Sequence, residues 1–214
     1  MPSASEILSG LSLVANQWRD VAIAWHVALG LSVFAIVVGW RPSARIAAHA
    51  LALPLLSVSV AAFAFGNAVN GLAFTTLSLT LSTRARRLAS EPIGTSPPVV
   101  AGAAAALVAF GTGYPHFLEA NHWTEYAYAA PLGLLPCPTL AALTGVSMLC
   151  GHFGSRGWGY TLATADLAYG AIGVFVLGVT LDYVLLAGAL TAVALLEKSI
   201  QCRCCHGHPV DRAA

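Results

Sequence analysis

The chain has 214 residues, of which 9% are Lys, Arg, Asp or Glu and 57% are hydrophobic. A soluble domain carries about 25% charged residues, so a soluble enzyme or a nucleic-acid binder of this size is excluded. The net charge of +1 also provides no field that would attract a polyanion. The composition therefore predicts an all-α integral membrane protein whose main partner is the lipid bilayer.

The first 20 residues are predicted to form an amphipathic helix that lies at the membrane interface. Ser3 and Glu6 have the spacing of a capping box, and apolar residues follow at helical intervals. A cleavable signal peptide is not expected, because the first 18 residues contain no Lys or Arg.

About seven membrane-spanning helices are predicted between residues 21 and 198, because a crossing needs about 20 mostly apolar residues. The charge-free run 46–83 is too long for one crossing, and the turn residues Gly66 and Asn67 divide it into a helical hairpin. The other predicted spans are residues 21–40, 98–114, 131–150, 158–179 and 183–196.

The basic residues predict how this bundle is oriented. With seven spans, nine of the ten Lys and Arg residues fall on one side of the membrane and Arg19 falls on the other. The side rich in basic residues is normally cytoplasmic. We therefore predict a multi-pass bundle in the cell inner (plasma) membrane, with the N-terminus outside. A cytoplasmic tail rich in Cys and His follows over residues 199–214.

Asp166 is predicted to lie well inside the sixth span, about 12 Å from its cytoplasmic end. An ionisable group at that depth costs at least about 2.5 kcal/mol and usually faces a cavity or a partner. One interpretation is a proton-relay or cation-binding carboxylate. The other is a hydrogen-bonded carboxyl that holds helices together, with Tyr169, Thr161 or Thr164 as its partner.

The predicted outer loop carries His or Glu at every third position, at His116, Glu119, His122 and Glu125. In a helix, two His and one Glu at this spacing can converge on one ion. The loop therefore predicts a metal site that includes His116 and His122, with Glu119 on a transport path. His26 is expected near the same end. The alternative is an interfacial segment with ordinary surface polar residues.

The fifth predicted span contains the run Pro136-Cys137-Pro138-Thr139. Two prolines remove two backbone donors, so a kink or an unwound segment with free carbonyl groups is predicted there. Cys137 would then face a cavity, where a thiol suits a soft metal ion. The alternative is a plain proline kink beside an inert buried cysteine.

The tail holds five side chains that could bind metal, and a cytoplasmic location would keep its thiols reduced. Zinc or copper is the predicted ion, bound weakly, since the spacing is not that of a zinc finger. A disordered terminus is the alternative. The predicted ligands are Cys202, Cys204, Cys205, His206 and His208.

Three segments resemble a domain-of-unknown-function family of small bacterial multi-pass membrane proteins with a Pro-Cys-Pro-Thr motif. They are the hairpin residues 65–72, the run 133–139 and the segment 177–186. The resemblance implies a helical membrane fold and singles out Cys137 and Asp182. It implies no activity.

Two functions are compatible with these features. The first is a small permease or sensor for a metal cation or a proton, with a path from the outer loop past Cys137 and Asp166 to the tail. The second is a non-transport scaffold or accessory subunit, in a homo-oligomer or a larger membrane complex. An enzyme is the less expected class, because no nucleotide-binding or Ser–His–Asp sequence pattern is found.

Overall fold

The computed structural model describes the backbone of residues 3–205 and the side chains of residues 3–197. Over this part of the chain the fold is helical and contains no β-strand, which confirms the predicted all-α class. The helices are α1 (Ala4–Gln17), α2 (Arg19–Val37), α3 (Ala44–Ala64), α4 (Ala68–Arg86), α5 (Pro98–Thr112), the short α6 (Tyr126–Ala129), α7 (Pro136–Leu149), α8 (Arg156–Ala171) and α9 (Tyr183–Cys205).

Four helical segments are long and apolar enough to cross a membrane. Two further apolar helices, α5 and α7, are shorter than a full crossing. Helix α4 has 19 residues, like α2, but includes several Ser and Thr side chains. The four segments are Arg19–Val37, Ala44–Ala64, Arg156–Val176 and Thr180–Glu197.

The distribution of polarity is inverted relative to a soluble protein. Large apolar side chains are exposed along α2, including Leu31, Phe34 and Val37, and others are exposed on most of the long helices. Hydroxyl and carboxyl side chains are buried instead. An apolar exterior of this extent is what a lipid environment requires. The buried Ser, Thr and Asp side chains are Ser59, Ser78, Thr139, Thr144, Ser147, Asp166 and Asp182.

The predicted N-terminal helix and hairpin are both formed. The Ser3 hydroxyl accepts a hydrogen bond from the Glu6 amide, and the Ser3 amide donates to the Glu6 carboxylate, so the capping box begins α1. Helix α3 ends before Gly66, and the Asn67 side chain caps α4. Buried hydroxyls then join the two helices, as where Ser78 donates to the carbonyl of Ala52 at 3.0 Å.

Helix α7 lies in the interior, and all its side chains except Cys137 and Leu149 are buried. Glycines let it approach α5 closely. A Cβ atom on Gly145 would lie 2.6 Å from the Ala104 carbonyl oxygen, and one on Gly111 would lie 2.5 Å from the Pro138 carbonyl oxygen. Small residues at such contacts let helix backbones pack together in lipid.

The bundle has one end rich in arginine. The α3 N-terminus meets the segment after α4, where the Ala44 amide donates to the Glu91 carbonyl. The segment before α5 meets the C-terminus of α7, where the Ser96 amide donates to the Leu149 carbonyl. Arg84, in the last turn of α4, reaches the first turn of α8. The arginines on these segments are Arg41, Arg45, Arg84, Arg86, Arg87 and Arg156.

Candidate functional site

The interior of the bundle contains a series of polar side chains beside α7, which we call the interior polar column. Cys137, Thr144 and Ser147 are separated by seven and three residues, so they lie within about 80° of one another around the helix. Each of these three side chains is hydrogen-bonded to a titratable side chain outside α7. Cys137 is bonded to Asp182, Thr144 to Asp166 and Ser147 to His152. The members of the column are Cys137, Thr144, Ser147, His152, Asp166 and Asp182.

The prolines of the Pro-Cys-Pro-Thr run begin α7 and do not interrupt it. Pro136 is the first residue of the helix, and Pro138 also lies in the first turn, where no intrahelical amide partner is needed. The helix is therefore not kinked at the motif, whereas residues 131–135 of the predicted fifth span are not helical. The irregular segment precedes the motif, over residues 130–135, and is buried. The Thr139 hydroxyl accepts from the Gly133 amide and donates to the Leu135 carbonyl, so that carbonyl is not free.

At the end of the bundle opposite the arginines, Asp182 binds two donors from separate segments. The Tyr114 hydroxyl donates to Oδ1 at 2.8 Å, and the Cys137 thiol donates to Oδ2 at 3.1 Å. Asp182 is 2% exposed and Tyr114 is fully buried. Cys137 therefore faces a carboxyl group and not an open cavity with free carbonyls. Three parts of the chain converge here, just after α5, at the start of α7 and just before α9.

The absence of a side chain at Gly173, in a locally widened turn of the helix, leaves room for the Asp182 carboxyl. Helix α8 continues into a π-helical turn over Ile172–Val176, and the Val179 amide then returns to the Gly173 carbonyl at 2.8 Å. A Cβ atom on Gly173 would overlap the Asp182 side chain. Wide turns of this kind are frequent at functional sites.

Asp166 lies deeper in the bundle, on α8, and is 0% exposed. Its Oδ2 accepts a hydrogen bond of 2.7 Å from the Thr144 hydroxyl of α7. Its Oδ1 is buried and has no hydrogen-bond partner among the described residues. The helix-to-helix contact was predicted, but the named partners were wrong.

The three predicted partners of Asp166 bond elsewhere or face outward. Tyr169 donates to the side chain of Asn70, and Thr161 donates to the carbonyl of Gly157 in its own helix. Thr164 is exposed. Thr144 was missed because nothing in the spacing along α7 alone shows which residue of α8 it opposes.

The third level of the column is near the arginine-rich end. His152 Nδ1 lies 3.0 Å from the Ser147 hydroxyl, while His152 Nε2 is buried without a partner in the described part of the chain. His152 and Phe153 have φ angles of 50° and 56°, a left-handed conformation that non-glycine residues rarely adopt. Burial lowers the pKa of His152 to about 4, so the ring is neutral at pH 7.

Replacing His152 should change how stability depends on pH. A His in an unfolded chain has a pKa of about 6.5, above the native value of about 4. The neutral His152 ring therefore makes its full contribution to the free energy of unfolding above pH 6.5. This contribution falls by roughly 3 kcal/mol as the pH is lowered towards 4. His152→Asn keeps a neutral polar side chain that tolerates a positive φ. Denaturant unfolding in detergent should show a flatter pH dependence for this variant.

Exposed His122 provides the matched control for that measurement. His122→Asn removes a histidine from the loop surface and should leave the pH dependence of unfolding as in the wild type. Equal pH slopes for the wild type and His152→Asn would contradict the buried, neutral state of His152.

The outer loop does not form the predicted metal site. It is not a regular helix between Gly113 and His122, so the spacing of three does not bring its side chains onto one face. Glu125 instead forms an ion pair with Arg19 at 2.5 Å, and this hydrogen bond lowers the pKa of Glu125. The Glu119 amide donates to the Asn16 side chain at 2.9 Å.

His26, which was expected near the same site, is bonded to the backbone instead. Both ring nitrogens of His26 lie 2.8 Å from backbone carbonyl oxygens, those of Ala22 and Thr112. No group of three or more His, Cys, Asp or Glu side chains that could hold a metal occurs within the described residues, so His116 and His122 do not gather a site. The predicted tail ligands Cys202, Cys204, Cys205, His206 and His208 lie outside the described side chains.

No protein-family model, curated protein sequence or solved structure matches the chain. The class of the protein therefore follows from its own geometry. Over residues 3–205 it is an all-helical protein with four helical segments long and apolar enough to cross a membrane, as expected for a membrane protein.

Proposed function

We propose that this protein is a multi-pass membrane protein that moves or senses protons through the interior polar column. The observation that carries the proposal is Asp166, a fully buried carboxyl with one oxygen bonded to Thr144 and the other without a partner among the described residues. The one ion pair among the described residues joins Arg19 and Glu125, so no cation neutralises Asp166. A proton that binds and leaves this oxygen would neutralise the group.

The ordering of the column supports a path along the bundle. Cys137 and Thr144 are about 10 Å apart along α7, and Thr144 and Ser147 are about 4.5 Å apart. Each level holds a hydroxyl or thiol next to a carboxyl or imidazole, which are the groups that pass protons in membrane proteins. Transfer across the longer interval would use one or more bridging water molecules. The proposed path runs from Asp182 through Asp166 to His152.

A proton fits these groups better than the metal cation that was the other candidate. A metal site needs about four converging ligands for zinc and more for harder ions. Among the described residues, each carboxyl of the interior polar column lies beside only one or two neutral donors, and no group of three metal-binding side chains occurs. Metal capture by the tail stays a separate proposal.

The proposed topology has seven spans, with the N-terminus outside and the C-terminus in the cytoplasm of the inner membrane. Helices α2, α3, α4, α5, α7, α8 and α9 would be the spans, and the short α5 and α7 would cross where the bilayer is locally thinned. The arginines gathered at one end support this orientation, because basic residues favour the cytoplasmic side.

A scaffold or accessory subunit is the second candidate, and one observation favours it. Two carboxyl contacts of the column join separate helical regions, α7 with α8 through Thr144 and Asp166, and α7 with the start of α9 through Cys137 and Asp182. Hydrogen bonds of this kind can hold a helical bundle together without any role in transport.

Ion flux into proteoliposomes separates the two candidates. Purified protein would be reconstituted with a pH-sensitive dye inside the vesicles, and a pH gradient would be imposed with and without zinc or copper ions outside. The proposal predicts proton flux above that of protein-free vesicles, with no requirement for a metal. Folded protein with no proton flux in either direction would favour the accessory subunit.

A further inference from the structure

A groove of about 600 Å³ lies on the outside of the bundle between α4 and α8, away from the interior polar column. The two helices run antiparallel along it, so residues early in α4 lie opposite residues late in α8. Tyr169 lies near one end, where its ring packs 5.0 Å from that of Phe74. Arg84 and Gly157 lie at the other end.

The length of the groove corresponds to one leaflet of a bilayer. Its α4 wall extends from Ala73 to Arg84, which is about 16 Å by helical rise. Half of the hydrocarbon thickness of about 30 Å is nearly the same distance. The intervening wall consists mostly of small side chains, including Thr76 and Thr80 on α4 and Thr164 on α8. An extended hydrocarbon chain can lie closely against such a surface.

The arginine at the end of the groove, Arg84, has no side-chain partner among residues 3–197. The Arg84 side chain is exposed and forms no hydrogen bond or ion pair within the described part of the chain. Gly157 leaves room for its guanidinium group, since a Cβ atom there would overlap Arg84 Nη1. Two other charged side chains, those of Arg156 and Glu197, lie towards the same end of the groove. Arg156 adjoins Gly157, and the Glu197 carboxylate accepts a hydrogen bond from Tyr160.

We propose that this groove binds one phospholipid, with the lipid phosphate on Arg84 and one acyl chain along the threonine-lined wall. A guanidinium matches a phosphate in charge and in hydrogen-bond geometry. If the acyl chains of one leaflet fill the groove, the Arg84 guanidinium lies at the level of the head groups of that leaflet. The proposal requires the chain to lie in a bilayer, and it does not depend on proton transfer.

Lipid retention tests the site directly. Protein reconstituted in vesicles that contain phosphatidylglycerol and diacylglycerol with the same acyl chains would be extracted, washed in detergent and weighed by native mass spectrometry. We expect the wild type to retain one phosphatidylglycerol and no diacylglycerol. Arg84→Gln should weaken that retention about tenfold or more, because a hydrogen-bonded charge is lost. Thr164→Phe, which fills the groove and keeps Arg84, should also weaken it.

Arg87→Gln is the matched control, since Arg87 is an exposed arginine at the same end that does not line the groove. It should retain lipid like the wild type. Equal retention by Arg84→Gln and Arg87→Gln would overturn the proposal and indicate a non-specific lipid annulus. Equal retention of diacylglycerol would overturn the role of the phosphate. If the wild type forms dimers in detergent and Arg84→Gln loses the dimers while it retains lipid, a second copy of the chain occupies the groove and the proposal is overturned.

Discussion

We expect Asp166→Asn to reduce proton flux by about a hundredfold or more, which is the usual contribution of a positioned acid–base group. Asparagine has nearly the same shape, and its carbonyl oxygen can still accept the hydrogen bond from Thr144. The fold should therefore persist while the group can no longer take up and release a proton. The rate of dye response in proteoliposomes under an imposed pH gradient measures the effect.

Two further variants make this result specific. Asp20→Asn changes the same side chain at an exposed position in the first turn of α2 and should leave the flux unchanged. Thr144→Val keeps the volume but removes the hydrogen-bond donor to Asp166, so an intermediate flux is expected. Wild-type flux from folded Asp166→Asn would show that protons take another route.

The largest effect on stability is expected for Asp182→Ala. This change removes the acceptor for both the Tyr114 hydroxyl and the Cys137 thiol. A buried donor left without an acceptor costs about 1–3 kcal/mol, so the free energy of unfolding should fall by about 3 kcal/mol. Denaturant unfolding in detergent would measure it. Asp20→Ala, at an exposed site, should change stability by less than about 1 kcal/mol.

A double-mutant cycle tests whether the Tyr114 bond explains that loss. Tyr114→Phe removes the hydroxyl that Asp182→Ala would leave unpaired, so the double variant should be less destabilised than the sum of the two single variants. Fully additive effects would show that the Tyr114 bond is not responsible for the stability change.

The fold could largely be predicted because it follows from local features. The capping box at Ser3 and Glu6, the break at Gly66 and Asn67 and the apolar lengths of the helices are all visible along the sequence. The Pro-Cys-Pro-Thr run was predicted to interrupt a helix, but it begins α7. A proline inside a helix kinks it, whereas a proline at the first helical position favours the start of a helix. Which effect applies here depends on where the helix begins relative to Pro136.

The interior polar column was only partly predictable. Asp166 stood out because it interrupts an apolar span. Asp182 was singled out only by the resemblance, together with Cys137, and its partners were not predicted. Tyr114 was missed altogether, because a tyrosine near the end of a span looks like an ordinary interfacial residue. The bonds among Tyr114, Cys137 and Asp182 join residues 45 and 68 positions apart, and sequence spacing carries no information about such contacts.

Infrared difference spectroscopy of the reconstituted protein tests most directly whether Asp166 binds and releases a proton inside the bundle. The neutral carboxylic acid has a carbonyl stretching band that the carboxylate lacks. We predict that the wild type shows this band, that it changes when the imposed pH gradient is reversed, and that the changing band is missing in Asp166→Asn. Identical difference spectra for the wild type and Asp166→Asn would contradict the proposed proton path.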